Sequence, residues 1–207
     1  MKKSRITKKA GTMSGKERIE KIKNTHYLVS IFLFVTTLCF CTYSATDLHL
    51  VQISLSHFGI YKKIGILWNG SLFIIGITLL IEIYLNINKY LLNTWLLYLF
   101  GTAIISLFIT AGIDMTHKIH FYSAYTYFIG FTLSMFVFGF RLIKTDFRIG
   151  ITSIIIAVVS VLFPLCIVLY LHSFAIPELA HTSLVFVWVM ITRFDTRYKN
   201  FIKRFGL

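Results

Sequence analysis

Residues 149 to 172 read IGITSIIIAVVSVLFPLCIVLYLH, a stretch that holds no Asp, Glu, Lys or Arg. A helix needs ~20 predominantly apolar residues to cross the hydrocarbon core of a bilayer. Because hydrocarbon offers no hydrogen-bonding partner, the backbone of such a stretch has to satisfy its own polar groups, and an α-helix does this within one segment. The stretch therefore predicts a transmembrane helix.

Five further apolar stretches lie along the chain, at 27–46, 65–86, 90–113, 120–142 and 177–193. Of the 207 residues, 57% are apolar and 14% are charged, whereas soluble domains carry roughly 25% charged residues. None of the stretches alternates apolar and polar residues as a barrel strand does. We expect an all-α, polytopic membrane protein, a bundle of six transmembrane helices over 27–193 with basic tails at 1–26 and 194–207.

The basic residues divide unequally between the two sides that six spans define. One side holds 18 of the 21, with nine in the N-terminal tail, four in loops and five from Arg193 onward, and the other holds Lys62, Lys63 and Lys118. The positive-inside rule then predicts a plasma (inner) membrane protein with both termini in the cytoplasm. Attraction to anionic headgroups at the cytoplasmic face accounts for the net charge of +13, so no nucleic-acid partner is expected. We expect residues 1 to about 23 to be disordered or to lie along the headgroups.

The first loop on the outer side, from Asp47 to Ile64, is too short and too polar to cross the membrane. Apolar residues recur in it at helical spacing while polar residues take the opposite side, with Leu48, Val51, Leu55 and Phe58 facing away from His49, Gln52 and Ser56. This pattern predicts a short interfacial helix that lies on the bundle. Two roles stay open for it, a lid over an outer cavity or simple packing against the spans.

Histidines gather on the same outer side, where six of the seven fall: His49, His57, His117, His120, His172 and His181. Asp47, Asp114 and Glu178 lie there as well. Imidazoles and carboxylates together have the composition of a metal or acid/base site. The alternative is a scattered set, because imidazole is amphipathic and suits a membrane interface.

Six residues are our candidates for a polar pocket on the outer side: Ser54, Asn69, Asp114, His120, Glu178 and His181. Asp114, His120 and His181 are expected to converge there, so that the carboxylate favours a charged imidazole. The candidate metal ligands are His117, His120 and His181, with zinc as the candidate cofactor. Glu82, an acid near the inner end of the second span, is a further candidate and is expected to reach water or Lys89.

Two stretches carry a family resemblance. The first is Gln52-Ile53-Ser54-Leu55-Ser56-His57-Phe58-Gly59 with Trp68-Asn69-Gly70 and Gly76-Ile77, and the second is Ala111-Gly112-Ile113-Asp114 with Ile119-His120, Ala124 and Phe128. They resemble the six-span membrane family called domain of unknown function 998, and more loosely the Frag1/DRAM-like membrane proteins. The resemblance covers about residues 27–193, although the loop from Asp114 to His120 is shorter here. It implies a six-span bundle, draws attention to Ser54, Asn69, Asp114 and His120, and implies no established reaction.

Three functions follow from these patterns. The first is an integral membrane protein whose outward-facing, His-rich pocket binds a lipid headgroup, an ion or a partner span. The second is a metal-dependent lipid hydrolase at the outer leaflet, in which Asp114 or Glu178 activates water. The third is a small transporter, which is disfavoured because the chain lacks paired broken helices and carries almost no charge at mid-membrane depth.

Overall fold

The predicted apolar stretches are helical where the structure describes them. A computed structural model of the protein describes residues 15–44, 54–60, 64–90, 92–171 and 174–194, with side chains described between Tyr27 and Arg193 except that of Leu171. These residues contain helices and no strand. The helices are α1 (Gly15–Ser44), α2 (His57–Ile60), α3 (Gly65–Lys89), α4 (Trp95–Gly112), α5 (Lys118–Leu142), α6 (Phe147–Leu171) and α7 (Ala175–Phe194).

Six of these helices are long and apolar enough to cross a membrane, namely all except α2. Their bounds follow the predicted spans, so the all-α, six-span class is confirmed. Large apolar side chains point outward from them, among them Phe32, Ile66 and Tyr98. Such a surface is unfavourable in water and suits a bilayer, because lipid tails are as apolar as the side chains.

Two details differ from the sequence prediction. α1 begins at Gly15, so part of the segment expected to be disordered or to lie along the headgroups is helical. Residues 16–23 read KERIEKIK, mostly strong helix formers that extend an existing helix at little cost. The interfacial helix of the first loop is present as the single turn α2, whereas Leu48, His49, Val51 and Gln52 lie outside the described residues.

The loop residues that the structure describes lie on the bundle, as predicted. Leu55 and Phe58 are buried, and the Phe58 ring meets Trp68 of α3 edge to face at 5.2 Å. The Asn69 side-chain amide donates to the Gly59 carbonyl at 3.4 Å, which ties α2 to α3. This amide contact joins two elements of the chain, as expected of a lone amide in a membrane span.

The long helices form a ring. α3, α4, α5, α6 and α7 contact one another in that order, α7 contacts α3 in turn, and α1 lies against α3 on the outside. Trp188 of α7 is fully buried inside the ring. Its indole stacks on Phe100 of α4 at 5.5 Å and meets Phe138 of α5 edge to face at 5.2 Å. Aromatic packing therefore fills the middle of the bundle.

One end of the bundle, where α3 and α7 finish and the α5–α6 turn lies, we call the tail end. The opposite end, with residues 54–60 and 113–117, we call the first-loop end. At the tail end an ion pair joins Glu82 of α3 to Arg193 of α7, with Arg193 Nη1 donating to Glu82 Oε2 at 2.8 Å. Glu82 is fully buried. Water and Lys89 were its two predicted partners, and this burial excludes bulk water.

Backbone carbonyls near Phe194, where the described part of α7 ends, also accept hydrogen bonds from side chains. Lys89 Nζ donates to the Thr192 carbonyl at 2.6 Å, and the Tyr90 hydroxyl donates to the same oxygen at 3.0 Å. The Asn86 amide donates to the Thr192 hydroxyl at 3.0 Å. These contacts and the ion pair fix the end of α7 against α3. We call this group of six residues, which also includes Glu82 and Arg193, the polar clasp.

Replacement of Arg193 by Met should destabilise the bundle by about 3 kcal/mol, because it leaves the buried Glu82 carboxylate without this cation. The double variant Glu82→Gln with Arg193→Met should recover much of that loss, since it also removes the buried charge. Arg148→Met, at an exposed position, is the control. The free energy of unfolding in mixed detergent micelles checks this, and a double variant less stable than Arg193→Met would contradict it.

Candidate functional site

A cavity of about 500 Å³ opens at the first-loop end of the bundle. The halves of α5 and α6 nearer the first-loop end form its two long walls, and the start of α7 and residues 54–57 close its other sides. Its lining residues are Ser54, Ser56, His57, Met115, His120, Phe121, Ala124, Tyr125, Phe128, Ile129, Thr132, Ser160, Val161, Pro164, Leu165, Val168, Phe174, Pro177, Glu178 and His181. Most of this lining is apolar, and the polar side chains come from four segments of the chain.

Two glycines, Gly139 and Gly150, let α5 and α6 pack closely at the tail end, far from the cavity. A Cβ atom on Gly139 would lie 2.7 Å from the Gly150 carbonyl oxygen and 2.8 Å from Cγ1 of Ile154. Only a residue without a side chain permits this approach. The two backbones therefore touch at one end, while the cavity separates them at the other.

Thr132 and Ser160 mark the level at which the cavity begins. Their hydroxyl oxygens lie 3.1 Å apart in a hydrogen bond between α5 and α6. One turn later α6 contains Pro164, which has no N–H to donate to the Ser160 carbonyl. The Ser160 carbonyl consequently lacks its usual helical hydrogen bond, and Ser160 lines the cavity.

The cavity opens sideways between α5 and α6. On the α5 rim Tyr125 and Ile129 are 55% and 66% exposed, and on the α6 rim Val161 and Leu165 are 48% and 50% exposed. All four residues line the cavity. Because these helices are candidate membrane spans, the opening faces the region that lipid chains occupy.

Glu178 joins the first loop to α7 at the polar end of the cavity. The Leu55 backbone N–H donates to Glu178 Oε2 at 2.6 Å. In the same segment the Ser54 hydroxyl and His57 Nδ1 lie 3.2 Å apart in a hydrogen bond. The described part of the first loop is thereby held over the cavity by contacts to α3 and α7.

His181 lies deeper in the cavity, one turn along α7 from Glu178. Its Nε2 atom is 3.1 Å from the Thr132 hydroxyl, which is also hydrogen-bonded to the Ser160 hydroxyl. The Phe128 ring meets the imidazole edge to face at 4.8 Å. Nδ1 is buried and makes no hydrogen bond to any residue that the structure describes.

A second cavity, of about 190 Å³, lies beside the first. It is lined by Ser56, Gly59, Ile60, Trp68, Asn69, Leu72, Thr110, Gly112, Ile113, Asp114, Met115 and His120. Ser56 and His120 line both cavities. A third space of about 60 Å³, which Ser56 also lines, lies between Trp68 and Glu178. The polar residues of the first-loop end thus surround adjoining spaces rather than isolated ones.

His120 has a defined proton position. Its Nδ1 atom lies 2.8 Å from the Ile113 carbonyl oxygen. Because a carbonyl only accepts, Nδ1 carries the proton, and in the neutral ring Nε2 is left as an acceptor. Nε2 is buried and has no partner among the described residues, and the same holds for the indole Nε1 of Trp68.

All six predicted pocket residues line one of the two larger cavities. Asn69, Asp114 and His120 line the smaller, and Ser54, His120, Glu178 and His181 line the larger. Asp114, His120 and His181 nevertheless bond to different groups. The exposed Asp114 accepts from the Thr116 backbone N–H at 2.9 Å, which holds the pKa of this carboxyl below its ordinary value.

The metal-ligand prediction finds no matching geometry in the described part of the chain. Within it, no three His, Cys, Asp or Glu side chains lie together as a metal site requires. His117 is exposed just before α5 and lines neither of the larger cavities, unlike His120 and His181. In the described residues these three histidines are not grouped, and zinc binding stays a prediction.

Sequence reasoning missed Trp68, Thr132, Ser160 and Pro164 as residues of this region. A hydroxyl in an apolar helix usually bonds its own backbone, so nothing in the sequence distinguishes Thr132 from other threonines.

Comparison with protein-family models, curated proteins and solved structures finds no match to this chain.

Replacement of Gly139 by Ala should destabilise the bundle by about 1–3 kcal/mol, because the added methyl group overlaps the backbone of α6. Gly101→Ala is the matched control, since a Cβ atom there meets nothing within 4 Å. Unfolding in mixed micelles measures both variants. Equal stability of the two variants would show that α5 and α6 do not touch at this point.

Proposed function

We propose that the chain is a multi-pass protein of the plasma (inner) membrane with both termini in the cytoplasm, and that its outward-facing cavity binds an amphiphile from the outer leaflet. The six candidate spans make it an integral membrane protein. The division of basic residues, 18 against 3, supports the orientation, because Lys and Arg near the ends of spans are retained in the cytoplasm.

The observation that carries the binding proposal is the sideways opening of an amphipathic cavity between α5 and α6. Apolar side chains line its rims, and Glu178, His120 and His181 lie at its polar parts. Ligand pockets typically have volumes of ~300–1,000 Å³ and combine apolar walls with few polar groups. A cavity that meets lipid chains along its side fits a molecule with an apolar chain and a polar head.

Binding is favoured over the two alternative functions. A metal-dependent hydrolase needs several ligands for its metal, and the described residues provide no group of three. A transporter needs a path through the bundle, whereas Trp188 and its aromatic neighbours fill the bundle beyond the cavity.

The proposal includes a relationship to the six-span family named above, supported by Asn69, Asp114 and His120 around one cavity.

The orientation predicts that residues 1 and 207 are both cytoplasmic. A reporter fused to each end, one type active only in the cytoplasm and one only outside it, tests this. Both ends should give the cytoplasmic signal, while a fusion between Lys62 and Lys63 should give the outside signal. An outside signal from either terminus would contradict the proposed topology.

The binding proposal predicts that photoactivatable hexadecyl probes label the outer halves of α5 and α6 in nanodiscs. Ala124→Trp or Val161→Trp should remove most of this labelling, because an indole fills the cavity from one wall or the other. Ile105→Trp, at an exposed position of α4 outside the cavities, is the control. Peptide mapping by mass spectrometry gives the measurement. Labelling that is uniform around the bundle, and unchanged in both cavity variants, would contradict the proposal.

A further inference from the structure

Two residues that line the smaller cavity each carry a buried polar atom, and the two atoms have opposite hydrogen-bonding roles. Trp68 Nε1 carries a hydrogen and only donates, whereas His120 Nε2 in the neutral ring only accepts. Neither has a partner among the described residues, and their residues are 2% and 5% exposed. A buried polar group without a hydrogen-bond partner destabilises the folded protein. Both residues line the same space of about 190 Å³.

The chemistry of the two atoms selects the group that can satisfy them. The phosphodiester of a phospholipid head accepts from Trp68 but has no hydrogen to donate to a neutral His120. A quaternary ammonium offers no hydrogen bond at all, and a protonated amine donates to His120 but cannot accept from Trp68. A hydroxyl group both donates and accepts, and it is therefore the group that can serve both atoms.

The charges around the cavities also favour an uncharged head over an anionic one. Among the described residues no Lys or Arg lines any of the three spaces, while Asp114 lines the smaller cavity and Glu178 the larger. Transfer of an anionic head to such surroundings would remove its water without supplying a cation. A neutral head avoids this penalty, and its further hydroxyl groups can donate to the Glu178 carboxylate.

We infer, on the basis of the proposed function, that the ligand is an uncharged single-chain amphiphile with a hydroxyl-bearing head, of the alkylglycerol or monoacylglycerol class. Its head lies in the smaller cavity between Trp68 Nε1 and His120 Nε2. Its chain passes His120 and Ser56, which line both cavities, and continues between α5 and α6 toward the bilayer. The two cavities then form one site with a polar and an apolar compartment.

The first test compares heads on an identical chain. Photoactivatable hexadecyl glycerol, hexadecyl methyl phosphate and hexadecyl trimethylammonium are each presented to the wild-type protein in nanodiscs at equal concentration. The glycerol probe should label the cavity walls at least ~10-fold more than either charged probe, the ratio expected from one buried group left unpaired. Equal labelling by all three would overturn the inference about the head and leave the binding proposal intact. No cavity labelling by any probe would overturn both.

The second test removes the two polar atoms singly. Trp68→Phe deletes the indole N–H and keeps an aromatic ring, and His120→Asn keeps a donor for the Ile113 carbonyl while deleting Nε2. Each should weaken labelling by the glycerol probe roughly 5–10-fold and leave labelling by the charged probes unchanged. Trp95→Phe and His117→Asn are the matched controls, since neither residue lines a cavity.

Unfolding measurements establish that each variant is folded. Wild-type labelling by the glycerol probe in folded Trp68→Phe or folded His120→Asn would overturn the assignment of that atom to the head. If a variant does not fold, the comparison of the three heads on the wild-type protein decides the inference alone.

Discussion

Inside a membrane, a buried polar group has only protein or ligand atoms as partners, and this constraint organises the whole bundle. The polar clasp at the tail end meets the constraint internally. There the Glu82 carboxylate has Arg193, and the Thr192 carbonyl receives hydrogen bonds from Lys89 and Tyr90. The first-loop end meets it incompletely, because buried nitrogen atoms of Trp68, His120 and His181 have no partner among the described residues. The two ends therefore differ in how far their buried polar groups are paired within the protein.

This difference accounts for the shape of the candidate site. Glycine contact and the ring of helices around Trp188 fix the tail half of the bundle, so α5 and α6 can separate only toward the first-loop end. The Thr132–Ser160 hydrogen bond lies at the depth where they separate, and Pro164, which lacks an N–H, lies one turn further along α6. The loop segment 54–60 is held over the opening by Glu178 and Asn69. A rigid half therefore supports a half that is open to a ligand.

The spans were predictable because a long uncharged apolar stretch has few alternatives in hydrocarbon. The contacts between helices were not predictable, because Glu82 and Arg193 are 111 positions apart and nothing in the sequence pairs them. The six residues predicted for a pocket line the two larger cavities, because polar residues near the ends of apolar spans are few. The chemistry of these cavities was not predictable. The partner of His120 is a backbone carbonyl, and the unpaired donor in the same lining is the indole of Trp68.

The central claim is that the first-loop end is a ligand site with a polar head compartment and a chain compartment between α5 and α6. An electron cryomicroscopy structure of the protein in native lipid, enlarged by a bound antibody fragment, tests it most directly. The account predicts elongated density that begins between Trp68 and His120 and leaves the bundle between Ile129 and Val161. Side chains of α5 and α6 closed against each other along this path, with no room for a chain, would contradict it.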